Sequence, residues 1–332
     1  MASSAPRVAL IGATGAVGAE ILAVLEERRF PVGELRVYAS PDSEGGELEF
    51  RGDVLKLQRV RTEEIAACDL VICAAPGALT ELLPALRRGS ARTVDVTGAL
   101  ERDASVPLFL PGVTPPLDPS QTARFLAVPR GVAVGLATAL APFARAGLLR
   151  RATAVTLESA SGAGIAGVGE LTDHTVQVLN RMSGERSESE VFAQSLAFDC
   201  LPQIGPIEPS GDTSEEAALA HALHRLVSIS GLALELTRVR IPTLGGSLAA
   251  VHVELAEPRT LAQARELLAA QTRVHLLPEG ELPTPRAALG HDAVAIGRLR
   301  AAGSRVAFVL ALNDLRLGAA LGVVSAAEAL LG

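Results

Sequence analysis

A chain of 332 residues is long enough for two domains, each with its own core. The net charge of −7 and the lack of any basic run argue against a nucleic-acid-binding protein. Nearly half the residues are apolar and mean hydropathy is +0.33, yet no apolar run reaches the roughly eighteen residues of a membrane helix. The opening MASSAPRVALIG enters a strand with no signal-peptide pattern, so a soluble, cytoplasmic protein is expected. Cys68, Cys73 and Cys200 lack metal-ligand spacing and read as reduced thiols, and no metal is expected. Basic charge is almost all arginine. The one lysine, Lys56, lies in the polar, strand-like VLKLQRV and reads as solvated, a poor setting for Schiff-base chemistry.

In chain order, Val8–Ile11 is a short apolar strand and Ala19–Arg28 has helical periodicity. Leu35–Ala39, Asp69–Ala74, Thr93–Val96 and Arg124–Ala127 read as further buried strands. The alternation with helices implies a parallel sheet. A helix follows from about Val132 to Ala146, and the pattern changes after Gly147. Residues 151–161 and 232–255 contain long strands, while 167–182 and 214–228 read as helices. That arrangement suits an α+β second domain with a largely antiparallel sheet. Leu315–Leu331 is helical and is expected to pack back on the first domain. Leu110–Pro119 is a Pro-rich turn.

Gly12-Ala-Thr-Gly15-Ala-Val-Gly18 follows the first strand and opens a helix. Such a turn lets backbone N–H groups approach a pyrophosphate, and the helix N-terminus adds partial positive charge. Gly12, Thr14, Gly15, Ala16, Val17 and Gly18 are therefore the expected dinucleotide cradle. The acid that would grip an adenosine ribose is Asp42, just past the second strand, with Ser40 beside it.

GATGAVG, Tyr38–Gly45, SASGAG at 159–164, PQIGPIE at 202–208 and VRIP at 239–242 together resemble the aspartate-semialdehyde dehydrogenases. The C-terminal segments Ile296–Arg298 and Arg316–Leu321 extend the resemblance, which runs in order from residue 8 to the C-terminus. It implies an α/β fold with a Rossmann-type dinucleotide-binding domain (1–130 and 315–332) and an α+β catalytic and dimerisation domain (131–314). It also implies a homodimer, with the helical segment near Gly167–Met182 as the interface. Members reduce aspartyl phosphate with NADPH through a thioester on cysteine, in the lysine, methionine and threonine pathway.

That chemistry needs a thiolate of lowered pKa, a histidine to move protons and an arginine for the substrate carboxylate. In this sequence the resemblance places Gly131 where the nucleophilic cysteine belongs, after Arg130 in an asparagine's place. Arg240 keeps the arginine position, but Ser247 stands where the histidine belongs. Glu158 replaces the active-site glutamine, and Glu215 remains of a glutamate–lysine pair, with Ala218 in the lysine place. Asp42 stands where an arginine would meet the 2′-phosphate of NADP, so either cofactor remains possible but NAD is favoured. Glu101 replaces a substrate-phosphate arginine, and Asp314 the asparagine near the nicotinamide.

The substitutions imply a divergent paralogue that keeps the fold, the dimer and dinucleotide binding without phosphate-dependent aldehyde dehydrogenase activity. The alternative is an active NAD(P)-dependent oxidoreductase that transfers hydride directly to an aldehyde or related carbonyl. Cys73 and Cys200 read as small hydrophobes rather than replacement nucleophiles. His221 and His224 share a helix face but lack the further ligands of a metal site. A buried, unpaired charge is costly, so Glu158 is expected to pair with Arg130 or Arg240.

Overall fold

The computed structural model describes residues 5–117, 123–180, 188–229 and 231–332. Its chain forms two units, residues 1–130 with 319–332, and residues 131–318.

The first unit begins with β1 (Arg7–Ile11), whose Val8, Ala9, Leu10 and Ile11 are all buried, as a strand covered on both faces must be. Helix α1 (Ala16–Glu27) follows and buries Ile21, Leu22, Val24 and Leu25 along one stripe. Next come β2 (Glu34–Ala39), an antiparallel hairpin of β3 (Glu47–Phe50) and β4 (Asp53–Lys56), and the short β5 (Gln58–Arg59). They lead to α2 (Thr62–Ala66), β6 (Leu70–Cys73), α3 (Ala78–Arg88), β7 (Arg92–Asp95) and β8 (Phe125–Ala127). The hairpin is absent from the sequence reading, because its exposed, charged strands lack a clear apolar face.

All pairings in the main sheet of this unit are parallel, in the order β5-β2-β1-β6-β7-β8. The chain runs outward from β1 first to β2 and then, across the sheet, to β6. That reversal makes a crevice at the carboxyl end of β1, where the glycine turn lies.

The second unit opens with α4 (Val132–Arg145), buried continuously from Val132 to Phe143. It continues through β9 (Leu149–Glu158), α5 (Gly164–Leu179), α6 (Ser214–Val227), β10 (Ala233–Arg240) and β11 (Ser247–Leu255). Helix α7 (Leu261–Ala269), β12 (Val274–Leu276), α8 (Pro285–Ala288), β13 (Val294–Ala302) and β14 (Arg305–Leu312) complete it. The sheet order is β10-β9-β11-β14-β13-β12.

This sheet is mixed rather than largely antiparallel. β10 runs parallel to β9 and β12 parallel to β13, whereas β9–β11, β11–β14 and β13–β14 are antiparallel. The long connection through α5 and α6 brings the chain back in the direction of β9, as parallel neighbours require. Helix α4 packs on β9, β11 and β14. Helix α5 sets Leu171 into a separate cluster with Ala160, Phe192, Leu196 and Leu201. Arg181 and Met182 of the expected helix, and residues 118–119 of the expected Pro-rich turn, lie outside the described residues.

The C-terminal segment is helical from Arg316, as its sequence pattern suggests, but its first turn is π rather than α. Arg316–Ala320 form a π-helical turn, and α9 (Leu321–Leu331) follows and packs on α1, β6 and β7 of the first unit. Arg28 Nη1 ties it down through Ser325 Oγ at 3.0 Å and Glu328 Oε2 at 2.8 Å. Among the described residues no helix is long and apolar enough to cross a membrane.

Candidate functional site

The glycine turn closes on itself so tightly that two of its positions exclude a side chain. A Cβ at Gly18 would sit 2.1 Å from the Gly12 carbonyl oxygen, and one at Gly12 would meet Ala75 N at 2.8 Å. Gly12 also has a φ of +87°, a region natural only to glycine. Gly15 caps α1 in an extended conformation, with no side-chain cap and no acidic residue in the first turn. The first helical bond from this cap runs from Ala19 N–H to the Gly15 carbonyl. The N–H groups of Ala16, Val17 and Gly18 precede it and have no helical acceptor, and Thr14 is half-buried beside them. Ser40 leads into a 3-10 turn, Pro41–Ser43, and Asp42 is exposed within it.

Just past the carboxyl end of β8, Arg130 is exposed. A Cβ on Gly98 would lie 3.4 Å from Arg130 Nη2 and 3.7 Å from Glu101 Oε2, so both charged groups converge over that glycine. Cys73 is fully buried, and burial pushes its thiol up to about 12, which leaves no thiolate at neutral pH. Burial raises the Cys68 pKa as well. Cys200, in the second unit, is exposed. No group of three or more His, Cys, Asp or Glu residues among those described is arranged to hold a metal.

In the second unit, Gly131 is the N-cap of α4, with φ 57° and ψ −136°. Its N–H donates to the Gly318 carbonyl at 2.8 Å. No atom lies within 4 Å of a Cβ built on it, so there is room for a side chain but the backbone disfavours one. Gly131→Cys is therefore expected to lower stability by about 1–3 kcal/mol, the usual cost of holding a non-glycine residue in a sparsely populated region. Chemical denaturation of the variant checks this; a stability equal to the parent's would contradict the strain.

Strand pairing builds the rest of the constellation. β10 and β9 run in register with Arg238 opposite Thr156 and Arg240 opposite Glu158, all near the sheet edge. Residues two apart on a strand share a face, so both arginines project toward the side that carries Glu158. Glu158 pairs with Arg238, not with the arginines anticipated from the sequence. Arg238 Nε donates to Oε1 at 2.7 Å and Nη2 to Oε2 at 2.8 Å, and Thr156 Oγ1 adds a bond to Oε1 at 2.8 Å. The fork geometry of a guanidinium fits a carboxylate in this bidentate way. Diagonal neighbours on adjacent strands are within reach of long side chains, which is why the pair forms across two residues of register.

Arg238 is held from the other side too. Its Nη1 donates to the Glu215 carbonyl at 2.9 Å and to Glu215 Oε2 at 3.0 Å. Its backbone N–H donates to Glu216 Oε1 at 2.9 Å, and Glu216 completes the capping box of α6 with Thr213. Burial disfavours the Glu158 charge, but the Arg238 bonds outweigh it and hold the carboxyl below its ordinary pKa. Burial likewise opposes the Arg238 charge, and its carboxylate partners reverse the effect.

Arg240 is left with a backbone partner, its Nη1 donating to the Ser159 carbonyl at 2.6 Å. Among the described residues no carboxylate forms an ion pair with it, and burial lowers its pKa. Gly162 is needed beside it, because a Cβ there would lie 2.4 Å from Nη1. Ser159 joins this arginine to Asp314. Its Oγ donates to Asp314 Oδ2 at 3.1 Å and shares a 2.7 Å hydrogen bond with Ser161 Oγ. Asp314 Oδ1 is buried without a partner, and burial raises the carboxyl to about 6, although the nearby Ser247 hydroxyl and Arg240 favour its charge. Ser247 is buried as the first residue of β11, after a turn in which a Cβ on Gly246 would meet the Pro285 carbonyl at 2.5 Å.

The structure thus brings Glu158, Arg240, Ser247 and Asp314 into one unit. Arg238 escaped the sequence reading, although strand alternation from Arg240 would have put it on the same face.

Residues 7–117 match the semialdehyde dehydrogenase NAD binding domain, and residues 140–317 the semialdehyde dehydrogenase dimerisation domain. An aspartate-semialdehyde dehydrogenase of Prochlorococcus marinus is 33% identical over 334 residues, covering 98% of this chain and 95% of that protein. The chain belongs to the aspartate-semialdehyde dehydrogenase family. Its fold matches the crystal structure of the Vibrio cholerae aspartate-semialdehyde dehydrogenase II complexed with ASA, at a TM-score of 0.91 and 32% identity, covering 99% of each chain. A probable aspartate-semialdehyde dehydrogenase from Pseudomonas aeruginosa gives a TM-score of 0.90 at 29% identity, covering 98% of each chain. Both parts of the family architecture, NAD-binding and dimerisation, are therefore present.

Proposed function

We propose that this member of the family binds a dinucleotide but does not carry out the phosphate-dependent thioester reaction that the resemblance implies for the family. The observation that carries this reading is Gly131. A glycine at the head of α4 offers no nucleophile, and its positive φ suits a residue without a side chain. Ser247 stands in the histidine's place, and a serine hydroxyl is no general base at neutral pH without an activating partner.

The cradle fits a dinucleotide. Gly12 and Gly18 leave room where a Cβ would intrude, and the open N–H groups of Ala16, Val17 and Gly18 suit a pyrophosphate. Thr14 and Gly15 border that position, and Ser40 and Asp42 would meet the adenosine ribose. Asp42 supports NAD over NADP, because a carboxylate repels a 2′-phosphate and accepts from a free hydroxyl. When bound, the nicotinamide supplies a hydride donor or acceptor. Arg240 holds an anionic group of a small ligand. The exposed Ile165, Val176, Val178 and Leu179 of α5 support a homodimer through that helix.

Titration with NAD, NADH, NADP and NADPH tests the cofactor part. NAD or NADH is expected to bind at least about tenfold more tightly than its phosphorylated counterpart, a difference of about 1.4 kcal/mol. Equal or tighter NADP binding would contradict the preference, and no binding of any dinucleotide would contradict the cradle. A second reading, an oxidoreductase that transfers hydride directly to a carbonyl, draws support from the intact turn together with Arg240 beside the Ser159–Asp314 pair.

A further inference from the structure

Glu158 has two arginines on the neighbouring strand, Arg240 directly opposite and Arg238 two residues earlier. The bidentate bond from Arg238 orients the Glu158 carboxylate toward itself, and Thr156 adds a second bond to Oε1. With Glu158 so oriented, Arg240 has the Ser159 backbone carbonyl as its hydrogen-bond partner and no carboxylate among the described residues. Had Glu158 turned to the arginine opposite, Arg240 would have been paired from within the chain.

We propose that Arg238 is a positioning residue that keeps Arg240 available to a small anionic ligand, by clamping Glu158 away from it. The inference rests on the reading that Arg240 holds an anion, and adds the device that preserves this capacity beside the Glu158 carboxylate. The clamp is anchored from outside the pocket. Glu215 binds the far side of the same guanidinium, and Glu216 fixes the Arg238 backbone, so Arg238 is pinned to α6 and cannot follow Glu158 inward. Three carboxylates thus bond to Arg238, while on Arg240, two residues on, Glu158, Asp314 and Glu215 act through space and none is hydrogen-bonded to it among the described residues. An oxyanion such as a carboxylate suits a guanidinium of this kind, since it accepts paired N–H bonds.

The test is succinate binding, measured by calorimetry on the whole chain and its variants. Arg240→Met is expected to abolish binding, which establishes that the probe reports on Arg240. Arg238→Met is expected to weaken binding at least tenfold, because the released Glu158 turns to Arg240. The double variant R238M/E158Q, lacking the competing carboxylate, is expected to return to within threefold of the parent. Glu158→Gln alone is expected to bind as tightly as the parent or more tightly. If R238M does not fold, Arg238→Lys supplies the comparison: a point charge cannot hold both oxygens, and binding is expected to fall at least threefold. Unchanged affinity in R238M, or in R238K where that variant is used, would overturn the clamp. So would failure of E158Q to rescue R238M. Binding that survives R240M, or no succinate binding at all, would overturn the Arg240 reading and the clamp with it.

Discussion

Arg238→Met is expected to lower the unfolding free energy by about 3–5 kcal/mol, the range for removing one partner of a buried ion pair. The side chains of Arg238 and Glu158 are 13% and 8% exposed, so water replaces the lost guanidinium poorly. Glu158 loses its bidentate partner and keeps Thr156, and its turn toward Arg240 exchanges a well-seated pair for a poorer one. Glu158→Gln in the same chain removes the displaced charge and is expected to recover most of the loss. Acid provides an independent check. The Glu158 carboxyl is held below its ordinary pKa in the folded protein, so its stabilising contribution is present above the unfolded value and is lost as pH falls through the folded one. The gap between parent and R238M should therefore narrow in acid. A gap that stays below about 1 kcal/mol at neutral pH would place the pair among surface salt bridges in energetic terms.

Asp314→Asn is expected to change the pH dependence of stability in the opposite sense. The Asp314 carboxyl titrates at about 6 in the folded protein against an ordinary value of 3.8, because burial opposes its charge. Its raised pKa means that the folded state binds this proton more tightly, so the parent is penalised above pH 6 and the penalty disappears below 3.8. That difference corresponds to about 3 kcal/mol at 1.36 kcal/mol per unit. An amide carries no such charge. Relative to the parent, D314N should gain about 2–2.5 kcal/mol in stability between pH 4 and pH 8, part of the penalty being present already at pH 4, whatever constant offset its unpaired N–H introduces. Denaturant unfolding at a series of pH values reads this directly, and a parallel pair of curves would contradict it.

Much of the architecture was legible because burial leaves a strong mark on sequence. The all-apolar Val8–Ile11 and the glycines at 12, 15 and 18 specify a covered strand and a tight turn, and both appear at their expected places. Helix α4, buried from Val132 to Phe143, was equally visible in its run of small and apolar residues. Sheet direction in the second unit was not legible, since alternation fixes which face a residue occupies and not which way its neighbour runs. The same limit explains Arg238. The family resemblance put Glu158 beside arginines, where a buried carboxylate needs a cation, and the choice between arginines depended on the register of β10 against β9. The unpartnered Asp314 Oδ1 likewise arises from residues far apart in the chain, Ser159 and Ser247 among them.

That Gly131 leaves this chain without the thioester chemistry is our proposal. Its most direct test is NADP or NAD reduction with aspartate semialdehyde and phosphate, followed across a range of protein concentrations. No turnover proportional to protein is expected from the parent. None is expected from Gly131→Cys with Ser247→His either, because Glu101 and Asp42 still oppose phosphate. Phosphate-dependent turnover by the parent that rises in proportion to protein concentration would contradict the account.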